Sequence, residues 1–251
     1  LSALTTAEMS YLASVQVSAF TADQITALSS LQVSGISAAG ITGLSTDDLM
    51  LMSPTQVAAI SAGSVSGLTT SQVISIATDD FSALAASQIG GLQSSQISIL
   101  STQQLSVVSS AAISGLRAAQ VAGLSTAQEV SLQSTQISAL STGVIAALST
   151  AQFSTLTSSQ FVALTGAQFG ALTSSEFKSL SPTQLGALTP DQVRGMNSGQ
   201  FGLLSSGQIQ TLSTTAMANL SSAAIAGMTT AQEAALGTSQ FMALSTAAIA
   251  G

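Results

Sequence analysis

The feature that most constrains this chain is an eight-residue period that runs through the whole sequence. From Leu4 to Gly251 the chain divides into 31 consecutive octads without an insertion or a deletion. Position one of the octad is apolar in every copy, and position six is apolar in all but two, where Glu129 and Glu233 stand. Residues 1–3 match the last three positions of a preceding octad. We therefore expect residues 1–251 to form a single repeat array.

Each octad carries the sequence signals of a helix start. Position two is usually Ser or Thr and position five is usually Gln, which is the spacing of a capping box. In that motif the hydroxyl accepts a hydrogen bond from the amide three residues on, and the Gln reaches back to the amide of the cap. Positions one and six then form the apolar pair of a hydrophobic staple. Seven copies lack Ser, Thr or Asn at the cap, and we expect their helices to be weaker: Ala13, Ala77, Ala85, Gln93, Arg117, Gln133 and Gly237.

Prolines and charges test this register independently. All three prolines, Pro54, Pro182 and Pro190, stand at position three, the first helical residue, where a missing amide hydrogen costs nothing. All ten acidic residues stand at positions four, five or six, in the first helical turn, where a carboxylate meets the positive end of the helix dipole. The sequence therefore predicts one short capped helix in each octad.

Helices of this size cannot be stable alone. We expect each to run from position three to the next position one, about seven residues, below the roughly 12 to 15 that an isolated helix needs. Stability must come from stacking, with positions one and six in the core and the small residue at position eight allowing backbones to approach. The prediction is an all-α solenoid with three or four octads per turn. A β-solenoid is the alternative, which the proline register and the lack of period-two alternation disfavour.

Composition narrows the range of functions. The chain has no His, Cys or Trp, which excludes metal sites built on imidazole or thiolate and the Ser-His-Asp and Cys-His nucleophile systems. A net charge of −7 disfavours binding to nucleic-acid phosphates. Ser, Thr or Gln interrupts every apolar stretch well short of the roughly 18 residues of a membrane span. We expect no enzyme, no cofactor, no nucleic-acid partner and no membrane span.

The recurring unit A-L-[ST]-x-x-Q-[IVF]-x resembles the octapeptide arrays of very long bacterial secreted or cell-surface proteins. The likeness covers 248 of the 251 residues. It implies a location on the cell surface or outside the cell, and a scaffold or adhesion role. It brings no catalytic or ligand-binding residues with it.

Acidic residues are the candidates for site chemistry. Two pairs of adjacent carboxylates, Asp47 with Asp48 and Asp79 with Asp80, offer hard oxygen ligands to a cation such as Ca²⁺. The competing interpretation, which we favour, makes them residues that stabilise a helix start. The two glutamates at position six replace core residues, and we interpret them as tolerated defects of the array.

Two classes of function remain. One is a structural element, either a filament protomer or an adhesin stalk, and the other is a module whose repeated Ser/Thr/Gln face binds a glycan or ice. A lattice binder needs one surface position held constant along a face, whereas position three varies among Thr, Ser, Ala, Pro and Gly. We therefore favour an extracellular or cell-surface structural array. Neither end carries an atypical octad, so we expect both ends to expose apolar side chains and to associate end to end into filaments.

Overall fold

The computed structural model describes residues 3–244, and within them the chain is entirely helical. These residues form 28 short α-helices and two 3₁₀ helices and contain no strand, which confirms the predicted all-α class over the alternative β-solenoid. No helix in this range is long and apolar enough to cross a membrane. The chain divides into an N-terminal unit, residues 1–140, and a C-terminal unit, residues 141–251. Of the residues at the predicted apolar ends, Leu1 and Ile249 lie outside the described residues.

Every helix begins at position three of its octad except the 3₁₀ helix Gly40–Gly43, which begins at position five. The two 3₁₀ helices, Gly40–Gly43 and Thr78–Ala83, both belong to the N-terminal unit. The α-helices of the N-terminal unit are Thr6–Ser10, Ser14–Val17, Ala22–Thr26, Ser30–Gly35, Thr46–Leu51, Pro54–Ala59, Ala62–Val65, Thr70–Ser75, Ala86–Gly91, Ser94–Ser98, Thr102–Val107, Ser110–Ile113, Ala118–Val121, Thr126–Ser131 and Ser134–Ala139. Those of the C-terminal unit are Thr142–Ile145, Thr150–Thr155, Ser158–Val162, Gly166–Gly170, Ser174–Lys178, Pro182–Gly186, Pro190–Gly195, Ser198–Gly202, Ser206–Gln210, Thr214–Ala218, Ser222–Ala226, Thr230–Ala234 and Thr238–Ala243.

The helix starts have the predicted capping geometry. Thr165 Oγ1 accepts a hydrogen bond from the amide of Gln168 at 3.2 Å, and Gln168 Oε1 accepts one from the amide of Thr165 at 2.9 Å. The three prolines are each the first residue of their helix. The register inferred from caps and prolines is therefore confirmed.

The helix ends differ from the prediction. The helices have four to six residues, and position one lies outside them. Leu44, at position one, has φ −68° and ψ 133°, and the cap residue Ser45 that follows has φ −73° and ψ 165°. The amide of Leu44 donates to the carbonyl of Ile41 at 3.1 Å and so closes the last turn of the helix. Position one must leave the helix because the cap of the next octad follows it at once, and two extended residues in succession make the corner.

Helices stack on those three octads away in the sequence. In the N-terminal unit Thr6–Ser10 packs on Ser30–Gly35, and in the C-terminal unit Gly166–Gly170 packs on Pro190–Gly195. Of the two predicted values, three octads per turn is therefore the correct one, which makes a turn of 24 residues. Each unit is a solenoid with a three-helix turn.

The core of each turn is filled by positions one and six. In the C-terminal unit, four consecutive position-six residues, Phe153, Phe161, Phe169 and Phe177, are buried. Their ring centroids lie 5.6 to 6.3 Å apart in edge-to-face contact. Such pairs contribute about 0.5–1.5 kcal/mol each beyond the area that they bury. Octads that follow one another in sequence are therefore in contact through the core, while octads one turn apart are in contact through their backbones.

Glycine at position eight permits that backbone contact. A Cβ atom on Gly115 would collide with the carbonyl oxygen of Ala86, and one on Gly195 would collide with that of Gly166. Both partners stand at position three of the octad one turn earlier. The small residue predicted at position eight is thus required where the turns approach most closely.

We expect Gly115→Ala to lower the free energy of unfolding by about 1–3 kcal/mol, because the added methyl group must displace backbone rather than a mobile side chain. Thermal or chemical unfolding of the purified chain measures the loss. Gly63→Ala is the matched control, since a Cβ there meets nothing closer than Ser61 Oγ at 3.9 Å. Within a helix that control should stabilise by up to about 1 kcal/mol. Equal effects of the two substitutions would contradict the close approach.

Candidate functional site

The glutamine at position five joins each helix start to the preceding turn. In Gln88, Oε1 accepts from the amide of Ala85 at 2.9 Å, while Nε2 donates to the carbonyl oxygens of Val57 at 3.0 Å and Ile60 at 2.9 Å. Val57 and Ile60 lie 31 and 28 residues earlier in the chain. Gln88 is only 3% exposed. Its amide is fully hydrogen-bonded, so its burial carries no unsatisfied polar group.

The same contacts recur along both units, and we call the glutamines that make them the glutamine ladder. Gln88 is followed by Ile89, whose carbonyl accepts from Gln120 Nε2 at 2.9 Å. Gln120 therefore bonds beside a glutamine four octads earlier, although the helices stack every three octads. The members are Gln32, Gln56, Gln72, Gln88, Gln96, Gln104, Gln120, Gln128 and Gln136 in the N-terminal unit, and Gln192, Gln200, Gln208, Gln232 and Gln240 in the C-terminal unit.

Copies without a cap hydroxyl keep part of this bonding. Gln16 Oε1 accepts from the amide of Ala13 at 2.8 Å, so half of the capping box remains. Two of the unusual caps add a bond to the preceding turn: Gln93 Nε2 donates to the carbonyl of Ser66 at 2.9 Å. Gln133 makes the equivalent bond at 3.0 Å. Ala77 is different, because its octad has no capping box and begins a 3₁₀ helix.

The predicted acidic pairs stand at helix starts. Asp47 and Asp48 lie in the first turn of Thr46–Leu51, where Asp48 Oδ2 accepts from the amide of Ser45 at 2.8 Å and from its hydroxyl at 2.7 Å. Asp48 therefore acts as the acidic member of a capping box. This geometry agrees with the helix-start interpretation of the pair.

The second pair begins the 3₁₀ helix Thr78–Ala83, after a cap residue, Ala77, that has no hydroxyl. Asp80 is 4% exposed. Its burial, and next the repulsion from Asp79, raise the pKa of its carboxyl group. The two pairs are four octads apart, so three-octad stacking does not place them on one face. Among residues 3–244 no group of three or more acidic side chains is placed to hold a metal ion.

Other carboxylates lie at the core or at the ladder position. Glu129 is 3% exposed, whereas Glu233, at the equivalent position six, is exposed. Glu176 stands at position five and is 1% exposed; its Oε2 accepts from the amide of Thr173 at 2.6 Å. Its Oε1 is buried without a hydrogen-bond partner. A glutamine here would present a donor NH₂ group at this point.

The sequence interpretation missed the role of the glutamine in joining turns. It assigned position five to capping alone, and a capping box accepts Glu as readily as Gln. Position five is nevertheless Gln in 20 copies and Glu in only two, Glu8 and Glu176. That bias is the signal that a donor group is needed there, because only the amide can both accept from the cap and donate to the turn below.

These features define a helical repeat protein of the solenoid class. Residues 130–166 and 182–214 match the family model described as the ALTTAQ repeat. No curated protein matches the chain. Among solved structures, the crystal structure of the leucine-rich repeat-containing protein LegL7 from Legionella pneumophila is 14% identical, with a match that covers 83% of this chain and 80% of that chain. The TM-score is 0.25, and at that value the likeness carries no argument about fold or function.

We expect Gln88→Glu to lower the free energy of unfolding by about 1–3 kcal/mol, because the carboxylate still caps Ala85 but cannot donate to Val57 and Ile60. Chemical denaturation at neutral pH measures the loss. Gln16→Glu is the matched control, since Gln16 also caps an alanine and is exposed. It should change stability little. The reverse substitution, Glu176→Gln, should stabilise the chain, and a loss of stability in that variant would contradict the ladder.

We expect Asp80→Asn to raise the melting temperature at pH 7. A raised pKa means that the folded state holds this proton to a higher pH than the unfolded chain, so the free energy of unfolding falls as pH rises through that interval. The gain should disappear below the ordinary value of 3.8, where Asp80 is protonated in both states. Melting curves from pH 3 to pH 7, roughly the range in which carboxyl groups titrate, measure it.

Glu8 supplies a control of opposite sign for that experiment. Hydrogen bonds from the amide and then from the hydroxyl of Thr5 lower the pKa of its carboxyl group. Its contribution to stability is therefore present above the ordinary value of 4.5 and lost as pH falls. The Glu8→Gln variant should melt below the parent chain at neutral pH, and the difference should shrink as pH falls. If the melting temperatures of the Asp80→Asn and Glu8→Gln variants changed with pH in the same direction relative to the parent, the assignment for Asp80 would be contradicted.

Proposed function

We propose that this chain is an extracellular or cell-surface structural array, a filament protomer or an adhesin stalk, with no catalytic role. The observation that carries the proposal is the glutamine ladder. Each turn holds the donors that dock onto the turn before it and the carbonyls that receive the turn after it. Because the same contacts repeat, length is set by the number of octads and not by a closed core.

The surface of the array supports a scaffold. Charged residues make up 5% of the chain, against roughly 25% in ordinary soluble domains. Many surface hydroxyls bond to their own helix: Ser82 Oγ donates to the carbonyl of Asp79 at 2.6 Å, and Ser114 Oγ donates to that of Ala111 at 2.7 Å. These side chains satisfy local backbone groups and leave few free groups to recognise a ligand.

The ladder supports the proposal of end-to-end growth. Gln16 and Gln24 are exposed, and each Oε1 accepts from the amide of its cap, at 2.8 and 2.9 Å. Within residues 3–244 their Nε2 groups donate to no carbonyl of another turn, since no described turn precedes them. A preceding turn of a longer chain, or the last turn of another copy, offers the carbonyls that these donors fit. Either source extends the array along its axis.

Binding of a glycan or of ice is the second candidate, and one observation favours it. With three octads per turn, the position-three residues form three rows, and neighbours in a row are 24 residues apart in the sequence. Successive octads belong to different rows, which explains part of the variation in residue type at position three along the sequence. One row of the N-terminal unit carries a hydroxyl at every place but one: Thr6, Ser30, Pro54, Thr78, Thr102 and Thr126. The adjacent row of that unit includes Ala38, Ala62 and Ala86, so a continuous hydroxyl surface is absent from it. We therefore place the structural role first.

Electron microscopy and light scattering of the purified chain should show particles that lengthen with protein concentration. The double variant Gln16→Glu, Gln24→Glu should keep its caps but lose the exposed amide donors, so we expect it to shorten the assemblies at unchanged thermal stability. Gln103→Glu with Ala127→Glu adds the same charge at exposed surface positions and should leave the lengths unchanged.

A discrete monomer at every concentration would overturn the filament protomer for this segment. If that monomer also binds an insoluble polysaccharide, and Thr102→Val with Thr126→Val abolishes the binding, the second candidate replaces the first. A monomer that does not bind polysaccharide would indicate that this segment is part of the stalk of a longer chain. Fusion of two copies with the octads in phase should then give particles of twice the length.

A further inference from the structure

Three large apolar side chains are exposed together on the N-terminal unit. Met50, Leu51 and Ile74 are 56%, 47% and 54% exposed. Leu31, Val130 and Val162 are exposed as well, but each stands at a different place along the array. An exposed apolar cluster on an otherwise polar surface is typical of an interaction site.

Repeat geometry makes these three residues neighbours. Met50 and Leu51 end the helix Thr46–Leu51, and Ile74 lies near the end of Thr70–Ser75, at the same repeat position as Met50. The two helices pack against each other. Axes of packed helices are about 8–10 Å apart, so the side chains of Met50 and Ile74 form one continuous surface.

Acidic residues border this surface on one side. Asp47 precedes Met50 by three residues and Leu51 by four, so the three side chains share one face of their helix. Asp23 has the same repeat position one turn earlier, on Ala22–Thr26, which packs on Thr46–Leu51. Both aspartates are exposed. We call Asp23, Asp47, Met50, Leu51 and Ile74 together the acidic-apolar face.

The face has definite limits along the array. The positions equivalent to Met50 and Ile74 are Thr26 in the turn before and Ser98 in the turn after. The position equivalent to Asp47 is Ser71 in the following turn. Apolar and acidic side chains therefore coincide over about two turns only, and the face is a single local site and not a repeated property of the solenoid.

We infer that the acidic-apolar face is a docking surface for a partner protein segment that carries Lys or Arg beside aliphatic residues. The aliphatic side chains of such a segment cover Met50, Leu51 and Ile74, while its cations lie against Asp23 and Asp47. This docking surface goes beyond the proposed structural role, because the turns of the solenoid stack without it.

Charge argues against a second copy of this chain as the occupant. The N-terminal unit contains seven acidic residues and a single basic one, Arg117. Two copies that met through this face would bring Asp23 and Asp47 against the same carboxylates of the other copy. Like charges across an interface are unfavourable, whereas opposite charges accelerate association and fix its register. The complement of the face is a cationic segment.

A synthetic peptide tests the inference without knowledge of the natural partner. The probe is a fluorescein-labelled peptide in which Leu and Lys follow an amphipathic helical pattern, titrated with the full chain by fluorescence anisotropy. We expect saturable binding with one peptide per chain that weakens as salt rises, because exposed charge pairs are screened. The double variant Met50→Ser, Ile74→Ser should raise the dissociation constant by about tenfold or more. The double variant Asp23→Asn, Asp47→Asn should raise it to a similar extent.

Matched variants at the same repeat positions serve as controls. Val130→Ser changes an exposed position-seven residue elsewhere, and Asp79→Asn changes an exposed position-four acid; both should leave the dissociation constant unchanged. Equal binding by the face variants and these controls would overturn the inference, and so would equal binding of a Leu-Glu peptide. If the chain forms a dimer and the Met50→Ser variant is monomeric, the occupant of the face is a second copy. Melting curves verify that each variant is folded.

Discussion

The side-chain amide of glutamine at position five is the interaction on which the rest of the structure depends. In Gln88 one such group caps its own helix through Ala85 and binds two carbonyl oxygens of the turn below. Helices of four to six residues have no stability of their own. The amide fixes each helix start to a corner that is already in place, and it satisfies carbonyl groups that the corner would otherwise bury without partners.

Local features could be predicted from the sequence because they need only neighbours along the chain. The capping pair Thr165 and Gln168 lies within one octad, and so does the proline at the first helical position. The number of octads per turn could not be predicted, because the corner angle is set by the backbone of residues such as Leu44 and Ser45. The periodicity of apolar side chains indicates which residues are buried, but it does not indicate the angle between successive helices.

The candidate site was predictable to a similar degree. Asp48 and Asp80 occupy the same position in their octads, yet Asp48 follows a Ser cap and is hydrogen-bonded by it, whereas Asp80 follows Ala77 and is buried. That difference was present in the sequence at the cap residues. The acidic-apolar face could not be predicted from the sequence, because Asp23, Asp47 and Ile74 are neighbours only in a solenoid with three octads per turn.

A turn of three octads makes the array sensitive to how many repeats lie between two points. Loss or gain of a single octad within a unit leaves the core pattern intact, because nearly every octad supplies apolar side chains at positions one and six. It nevertheless moves each later side chain to the neighbouring face. Gene rearrangements that alter length by 24 residues keep surface neighbours together, whereas those of 8 residues exchange them. A face that binds a partner therefore keeps its residues together only when octads are gained or lost within it in multiples of three.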